Sequence, residues 1–428
     1  MKRNLLSVAA LLVGTLFLFM GNGLQGILLP IRGTIEGYPT TVLGLLGTSW
    51  AAGFVIGCLI APKLVRRVGH VRAFSSFISI VAIIALVSGI AVNPYWWVLL
   101  RAVTGFSTAG TSMIIESWLN ERATNETRGA IFSLYIAITL FGVVGGQMMI
   151  PLENPHTPIL FMFCGILYCV AMLPTSLSKA ASPQPLKAVR LDLPALYRNS
   201  PVSCIGILLI GIANGAYGTL GAVFGAGTGL SDTGIAVMMS STIFAGALMQ
   251  FPAGRLSDRI DRRYVLAGLS ALGALAGFLI LVLMPKTPAF VIGLVIFYGA
   301  VANTLYPIAV AHANDFASSE DFVKVSGGLL LLYGIGTIIG PTIGGPVMSG
   351  VGPHALFLVT MTAHILIAGY AIIRSRIRPS VPASERDARA TIPTATTPML
   401  TPGGMSLADR SAGKSQPADD GDAAVKFG

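Results

Sequence analysis

Charge is scarce in this chain: 11% of its 428 residues are Asp, Glu, Lys or Arg, against 54% hydrophobic. So few charges cannot cover the surface of a water-soluble protein of this length, which excludes a soluble globular fold. Cysteine is scarce as well. Cys58, Cys164, Cys169 and Cys204 all fall in apolar stretches, at spacings that fit neither a disulfide framework nor a metal site, and they read as small apolar filler. No glycine loop followed by Lys and Ser or Thr is present, which argues against ATP hydrolysis by this chain. Paired histidines and a cysteine-histidine constellation are missing too. No catalytic residue, cofactor or metal is expected.

What the chain has in abundance is long apolar runs. Twelve are near the length of a bilayer-spanning helix, approximately Leu5 to Leu29, Thr41 to Ile60, Ala73 to Val92, Trp96 to Trp118, Ala130 to Ile150, Ile159 to Leu177, Val202 to Phe224, Gly234 to Ala253, Tyr264 to Met284, Ala289 to Ala311, Val325 to Met348 and Ala355 to Ile373. In hydrocarbon only a helix or a closed barrel satisfies every backbone polar group, so the expected fold is an all-α integral membrane protein. The first run follows Lys2 and Arg3 as a signal peptide would, but it continues past Met20 without a cleavage site and is kept as a span. An even number of spans puts both termini on one face. The five loops sharing that face carry fifteen Lys and Arg residues, while the opposite loops hold Arg32 and Lys286. By the positive-inside rule both termini are cytoplasmic, and the net charge of +10 reflects this bias rather than a nucleic-acid partner.

The chain also repeats itself. Asn22-Gly23-Leu24-Gln25-Gly26 returns as Asn214-Gly215-Ala216-Tyr217-Gly218, and Tyr135 with Gly142 returns as Tyr333 with Gly340, an offset of about 192 to 198 residues. Such internal repeats mark transporters built from two matching bundles. The expected organisation is a six-helix bundle over residues 1–178, a cytoplasmic linker over 179–200 broken by Pro183, Pro185 and Pro194, a second six-helix bundle over 201–374, and a disordered cytoplasmic tail over 375–428.

The loop Gly254-Arg255-Leu256-Ser257-Asp258-Arg259-Ile260-Asp261-Arg262-Arg263 resembles the signature loop of the major facilitator superfamily (MFS). In the first half the equivalent stretch, Gly57 to Arg72, has Arg66 where that family usually has an Asp. Arg101 and Gly105 in the fourth span are similar to a second family pattern. Gly336, Gly340, Pro341, Gly344 and Gly345 resemble an antiporter pattern usually found in the fifth span, although here they lie in the eleventh. Further runs, among them Glu116-Ser117 and Leu305-Tyr306-Pro307, resemble a bacterial branch of little-characterised permeases. The resemblance implies twelve helices in two pseudo-symmetric bundles, alternating access, an inner (plasma) membrane location, and a central cavity lined by spans one, four, seven and ten.

Intramembrane charge costs roughly 3 kcal/mol on insertion scales, so ionisable residues in the spans are functional candidates. Arg101 is expected to face a wet cavity, with snorkelling to the headgroups as its alternative. Glu116 is the single carboxylate inside an expected span, near the level of Arg66, Arg67 and Arg72. It is either a titratable gate or a fixed ion pair, and Asp258 with Arg259, Arg262 and Arg263 poses the same choice in the second half. The pathway candidates are Asn22, Gln25, Arg101, Gln147, Asn214, Tyr217, Asn303 and Tyr306, whose alternative is hydrogen bonding between helices. Gly142, Gly146, Gly336, Gly340 and Gly344 recur at intervals that place them on one helix face for close approach, with Pro341 removing a backbone donor. His312 and His364 are expected in the core rather than in a proton relay. The expected function is secondary active movement of a small solute, anionic or neutral, with protons left open as the coupling ion. Proton-driven multidrug efflux and a non-transporting sensor or scaffold are the alternatives. Expected partners are the solute and the lipid bilayer, and a monomer suffices.

Overall fold

The computed structural model describes residues 2–124, 127–176, 192–317 and 322–378. Most of the expected linker, and the expected tail beyond residue 378, lie outside the described residues. The first half contains α1 (Lys2–Ile35), α2 (Thr40–Val68), α3 (His70–Ile90), α4 (Pro94–Arg122), α5 (Arg128–Gln147) and α6 (Ile159–Ser176). A short helix, α7 (Leu193–Asn199), precedes the second half: α8 (Pro201–Gly227), α9 (Asp232–Arg259), α10 (Arg262–Leu283), α11 (Pro288–Ala302), α12 (Leu305–Asp315), α13 (Phe322–Val351) and α14 (Leu356–Ile377). Eleven segments are long and apolar enough to cross a bilayer by length and composition, and α6, with 18 residues, supplies the twelfth crossing. No strand occurs among the described residues.

Several boundaries differ from expectation for identifiable reasons. α1 runs to Ile35, so Arg32 lies inside the helix rather than in a loop. Its charge is accommodated by Glu36 one turn on, at 2.6 Å, and by donation to the carbonyls of Pro155, at 2.9 Å, and His156. The tenth crossing is not one helix. α11 ends at Ala302 and α12 begins at Leu305, because Pro307 has no N–H for the Asn303 carbonyl and its ring crowds that carbonyl. The Trp96–Trp97 pair is split: Trp96 is exposed, whereas Trp97 is fully buried and donates from Nε1 to the Ser88 and Ala91 carbonyls, both at 3.0 Å. Asn93 caps α4, accepting from the Tyr95 and Trp96 amides.

Each half is joined by a glycine seam at an equivalent place. In the first, α5 lies against α1. A Cβ on Gly142 would stand 2.9 Å from the Leu16 carbonyl, and one on Gly146 would run into the Met20 carbonyl. In the second, α13 lies against α8: a Cβ on Gly336 would run into the Leu208 carbonyl, one on Gly340 would stand 2.8 Å from the Ala216 nitrogen, and one on Gly344 2.9 Å from Leu220 Cδ1. Without a hydrophobic force between helices in lipid, such backbone-to-backbone approach supplies the dispersion contact that holds a bundle.

The two halves meet near the helix ends opposite the start of α1 and the end of α14. The hydroxyls of Thr40 and Ser349 hydrogen bond at 2.8 Å and those of Thr48 and Thr342 at 2.9 Å, joining the start of α2 to the end of α13. Gly44 abuts the Pro341 carbonyl, where a Cβ would stand at 2.6 Å. On the other flank Ser240 of α9 donates to Gln147 Oε1, at the end of α5, at 3.0 Å.

Candidate functional site

Between the halves lies a cavity of about 550 Å³, walled by α1, α2, α4, α5, α8 and α13. Its wall reaches Lys63 and Arg66, in the last turns of α2, so it extends toward the face that carries the start of α1 and the end of α14. The contacts just described close the opposite face. Spans one, four and seven contribute wall as expected. The tenth contributes none of this wall, and α2 and α13 take its place, because their inner halves flank the space below the Thr48–Thr342 contact.

Arg101 is on this wall, seven residues into α4 and so about 10 Å from its start. Four residues on, Gly105 allows α2 to approach so closely that a Cβ there would collide with the Trp50 carbonyl. That approach brings the Arg101 guanidinium 5.8 Å from the centroid of the Trp50 ring, which is itself stacked on Phe54 at 5.3 Å. A cation over an indole is worth about 0.5–2 kcal/mol, depending on how dry the site is. Arg101 forms no ion pair among the described residues. Lys63 and Arg66 join it on the wall, and no Asp or Glu does.

Asn22 also faces the cavity. The Tyr168 hydroxyl, fully buried, lies 3.0 Å from Asn22 Oδ1 and 3.1 Å from Gln25 Oε1. One hydroxyl hydrogen cannot serve two acceptors, and the Asn22 and Gln25 amide nitrogens lack partners. With the Gln25 amide turned over, its NH₂ donates to Tyr168, Tyr168 donates to Asn22, and Asn22 Nδ2 is left as a buried donor without a partner among the described residues. Trp50, Phe54, Lys63 and Tyr168 were not singled out in the sequence. For Tyr168, a phenol amid the apolar residues of α6 is the signal that could have found it.

The remaining candidates divide. Asn214 and Gln147 line the cavity. Gln25 is held on Tyr168. Tyr217 sits in an aromatic cluster with Tyr298 and Phe357, its hydroxyl 3.4 Å from Thr242 Oγ1. Asn303 donates to the Thr242 carbonyl at 3.2 Å at the break between α11 and α12, and the buried Tyr306 packs edge-on against Tyr333. These four are outside the cavity wall. Glu116 is fully buried and accepts from the Tyr135 hydroxyl at 3.3 Å, one turn beyond Ser112, which is on the wall. Arg66, Arg67 and Arg72 are exposed.

In the second half, Arg262 bonds Asp315 at the end of α12 at 2.9 Å and Asp258 at 3.2 Å, while Arg263 binds Asp261 at 2.6 Å and donates to the Arg374 and Arg378 carbonyls at the end of α14. These bonds stay within the second half. Arg259 is exposed. Asp261 lies between α9 and α10; partial burial alone would raise its pKa, but hydrogen bonds and charge from Arg263 hold it below the ordinary value. His312 is buried with Nδ1 3.1 Å from Ser200 Oγ, and His364 is buried between α10 and α14 against Gly273.

Two matched helical bundles around a cavity closed on one face define a multi-pass membrane carrier. Comparison with known proteins agrees: the Major Facilitator Superfamily model matches residues 202–408, and the model named Sugar (and other) transporter matches residues 13–154. An uncharacterized MFS-type transporter of Enterobacter sp. is 28% identical over 82% of this chain and 91% of its own length. One from Yersinia pestis is 26% identical over 86% of this chain and 93% of its own. Among solved structures, the nucleoside transporter NupG superposes with a TM-score of 0.69 at 15% identity, covering 90% of this chain and 99% of its own. A bacterial homologue of the lysosomal transporter Spinster, in an inward-facing and occupied conformation, gives 0.67 at 14%, covering 96% and 98%. The chain belongs to the major facilitator superfamily. It is a transporter rather than an enzyme, and its partners are a solute and the lipid bilayer.

Proposed function

We propose that this protein is a secondary active carrier of organic anions in the bacterial inner membrane, working as a monomer with both termini in the cytoplasm. In that orientation the present state is open to the cytoplasm. The observation that carries the anion reading is the charge on the cavity wall: among the described residues Arg101, Lys63 and Arg66 face the cavity and no carboxylate does. A cation with no acidic partner in a partly dry site favours an anion as the ligand that completes it. Asn22 is a neutral polar residue on the same wall. Alternating access would open the contacts at Thr48–Thr342 and Gln147–Ser240 and close the space now walled by the inner half of α2.

Glu116 is the proposed coupling group. It is buried one turn from the cavity wall with a phenol as hydrogen-bond partner, so proton gain or loss there would be felt by the wall through Ser112 and Tyr135. Glu116→Gln should abolish accumulation driven by an imposed pH gradient in proteoliposomes while leaving anion counterflow intact. Gradient-driven accumulation equal to that of the parent protein would sink the coupling role. The largely apolar remainder of the wall also suits a second reading, export of amphipathic drugs. That reading predicts that cationic drugs compete with the anion, whereas anion transport predicts that they do not.

A further inference from the structure

We propose that the cargo is an amphipathic monoanion with an extended alkyl chain, its carboxylate or equivalent head on Arg101 and its chain lying in the slot between α2 and α13. This rests on the anion reading above and adds the class of anion. The contacts joining α2 to α13 run from Thr40 and Ser349 as far as Val55 and Gly334, where a Cβ on Gly334 would stand 2.5 Å from Val55 Cγ2. Alongside and beyond these contacts both helices supply cavity wall, α2 from Leu46 to Arg66 and α13 from Gly327 to Thr337. The charged wall residues occupy two levels, Arg101 beside Trp50 at the deep end and Lys63 with Arg66 at the mouth. From Trp50 to Lys63 is thirteen residues of α2, about 20 Å.

Along that length the wall is mostly apolar, with Phe54, Leu59 and Pro62 from α2 and Leu330 and Leu331 from α13, and the hydroxyl residues Thr108 and Ser112 of α4 beside them. A small anion on Arg101 would leave this surface wet and most of the 550 Å³ unfilled. An alkyl chain fills it, and each methylene withdrawn from water tightens binding about fourfold. Cationic residues at the mouth and none midway among the described wall residues fix the polarity: the head goes to the deep Arg101 beside Trp50, and Lys63 and Arg66 stand at the water.

Cys58 reports on the slot. It lies on the wall eight residues from both Trp50 and Arg66, whereas Cys164 and Cys204 are buried and Cys169 is exposed elsewhere, on α6. In a Cys169→Ser background reconstituted in nanodiscs, reaction of Cys58 with a methanethiosulfonate reagent is timed against butanoate, octanoate, dodecanoate, hexadecanoate and hexadecan-1-ol, at buffered free concentrations. The expected result is no protection by butanoate, protection that tightens about fourfold per methylene along the series, and a loss of at least tenfold for hexadecanoate in Arg101→Gln with Arg101→Lys intermediate. Protection by short and long carboxylates at equal concentration, still dependent on Arg101, would overturn the alkyl slot and leave the anion reading standing. Equal protection by hexadecanoate and hexadecan-1-ol, indifferent to Arg101, would overturn the anion reading itself. Sensitivity to Lys63→Gln in place of Arg101→Gln would overturn the placement of the head.

Discussion

Arg101→Gln removes the one deep cation on the cavity wall and leaves its volume nearly unchanged. A carboxylate about 4 Å from the guanidinium gains about 4 kcal/mol at the effective dielectric of 20 suited to protein sites. Arg101 is only half-buried, and water in the open cavity screens it. The figure to expect is therefore that of a hydrogen bond to a charged group, about 1.5–3 kcal/mol, or roughly ten- to hundredfold in affinity. The measurement is equilibrium binding of dodecanoate against dodecanamide, two ligands of nearly one size that differ in charge, to the parent protein, Arg101→Gln and Arg101→Lys. The parent should prefer the anion, the Gln variant should lose that preference without losing the amide, and the Lys variant should fall between because it keeps charge but not the planar fork. The reasoning fails if Arg101→Gln binds dodecanoate as tightly as the parent, or if it loses both ligands alike.

Other expectations concern what holds the machinery in place. Trp50→Leu, which removes the indole face 5.8 Å from Arg101, should weaken anion binding by a few-fold, in line with about 0.5–1 kcal/mol for a partly wet cation–π contact; an unchanged Kd would separate Trp50 from the site. Gly340→Val should lower thermal stability by about 1–3 kcal/mol through collision with the backbone of α8, whereas Gly369→Val, where a Cβ meets nothing within 4 Å, should be nearly neutral. Equal melting points for the two would contradict a glycine seam between α8 and α13. Asp261, whose folded pKa is depressed by Arg263, contributes stability that is present above the ordinary carboxylate pKa and is lost as pH falls through the folded value. Thermal stability should thus decline on acidification more steeply in the parent than in Asp261→Asn, and parallel acid limbs would rule out this contribution.

Fold and site were legible to different depths. Apolar runs and the internal repeat carried the architecture, because burial of backbone polar groups in lipid leaves only one solution for runs of that length. The glycine spacing pointed to a close-approach face, and the structure puts α1 and α8 against those faces. What periodicity could not carry was discontinuity and azimuth. Pro307 lies in a run as apolar as its neighbours, and nothing short of the backbone itself reveals that α11 ends five residues before it. Trp96 and Trp97 look alike in sequence, yet adjacent positions on a helix point about 100° apart, so one faces outward and the other is buried. The span pattern points to Tyr217, Asn303 and Tyr306 as pathway residues, whereas their side chains make contacts between helices. The wall is completed instead by Trp50 and Phe54 of α2, which carry no charge or amide to draw attention.

The central claim is that the contact between α2 and α13, on the face opposite the start of α1 and the end of α14, is one of two states that exchange during transport. Thr48 and Thr342, whose hydroxyls are 2.9 Å apart, are the place to test it. A Thr48→Cys, Thr342→Cys pair, oxidised to a disulfide in proteoliposomes, should abolish anion counterflow, with activity restored by reduction and Cys58 still reactive from the termini face throughout. Full transport with the disulfide formed would contradict the account.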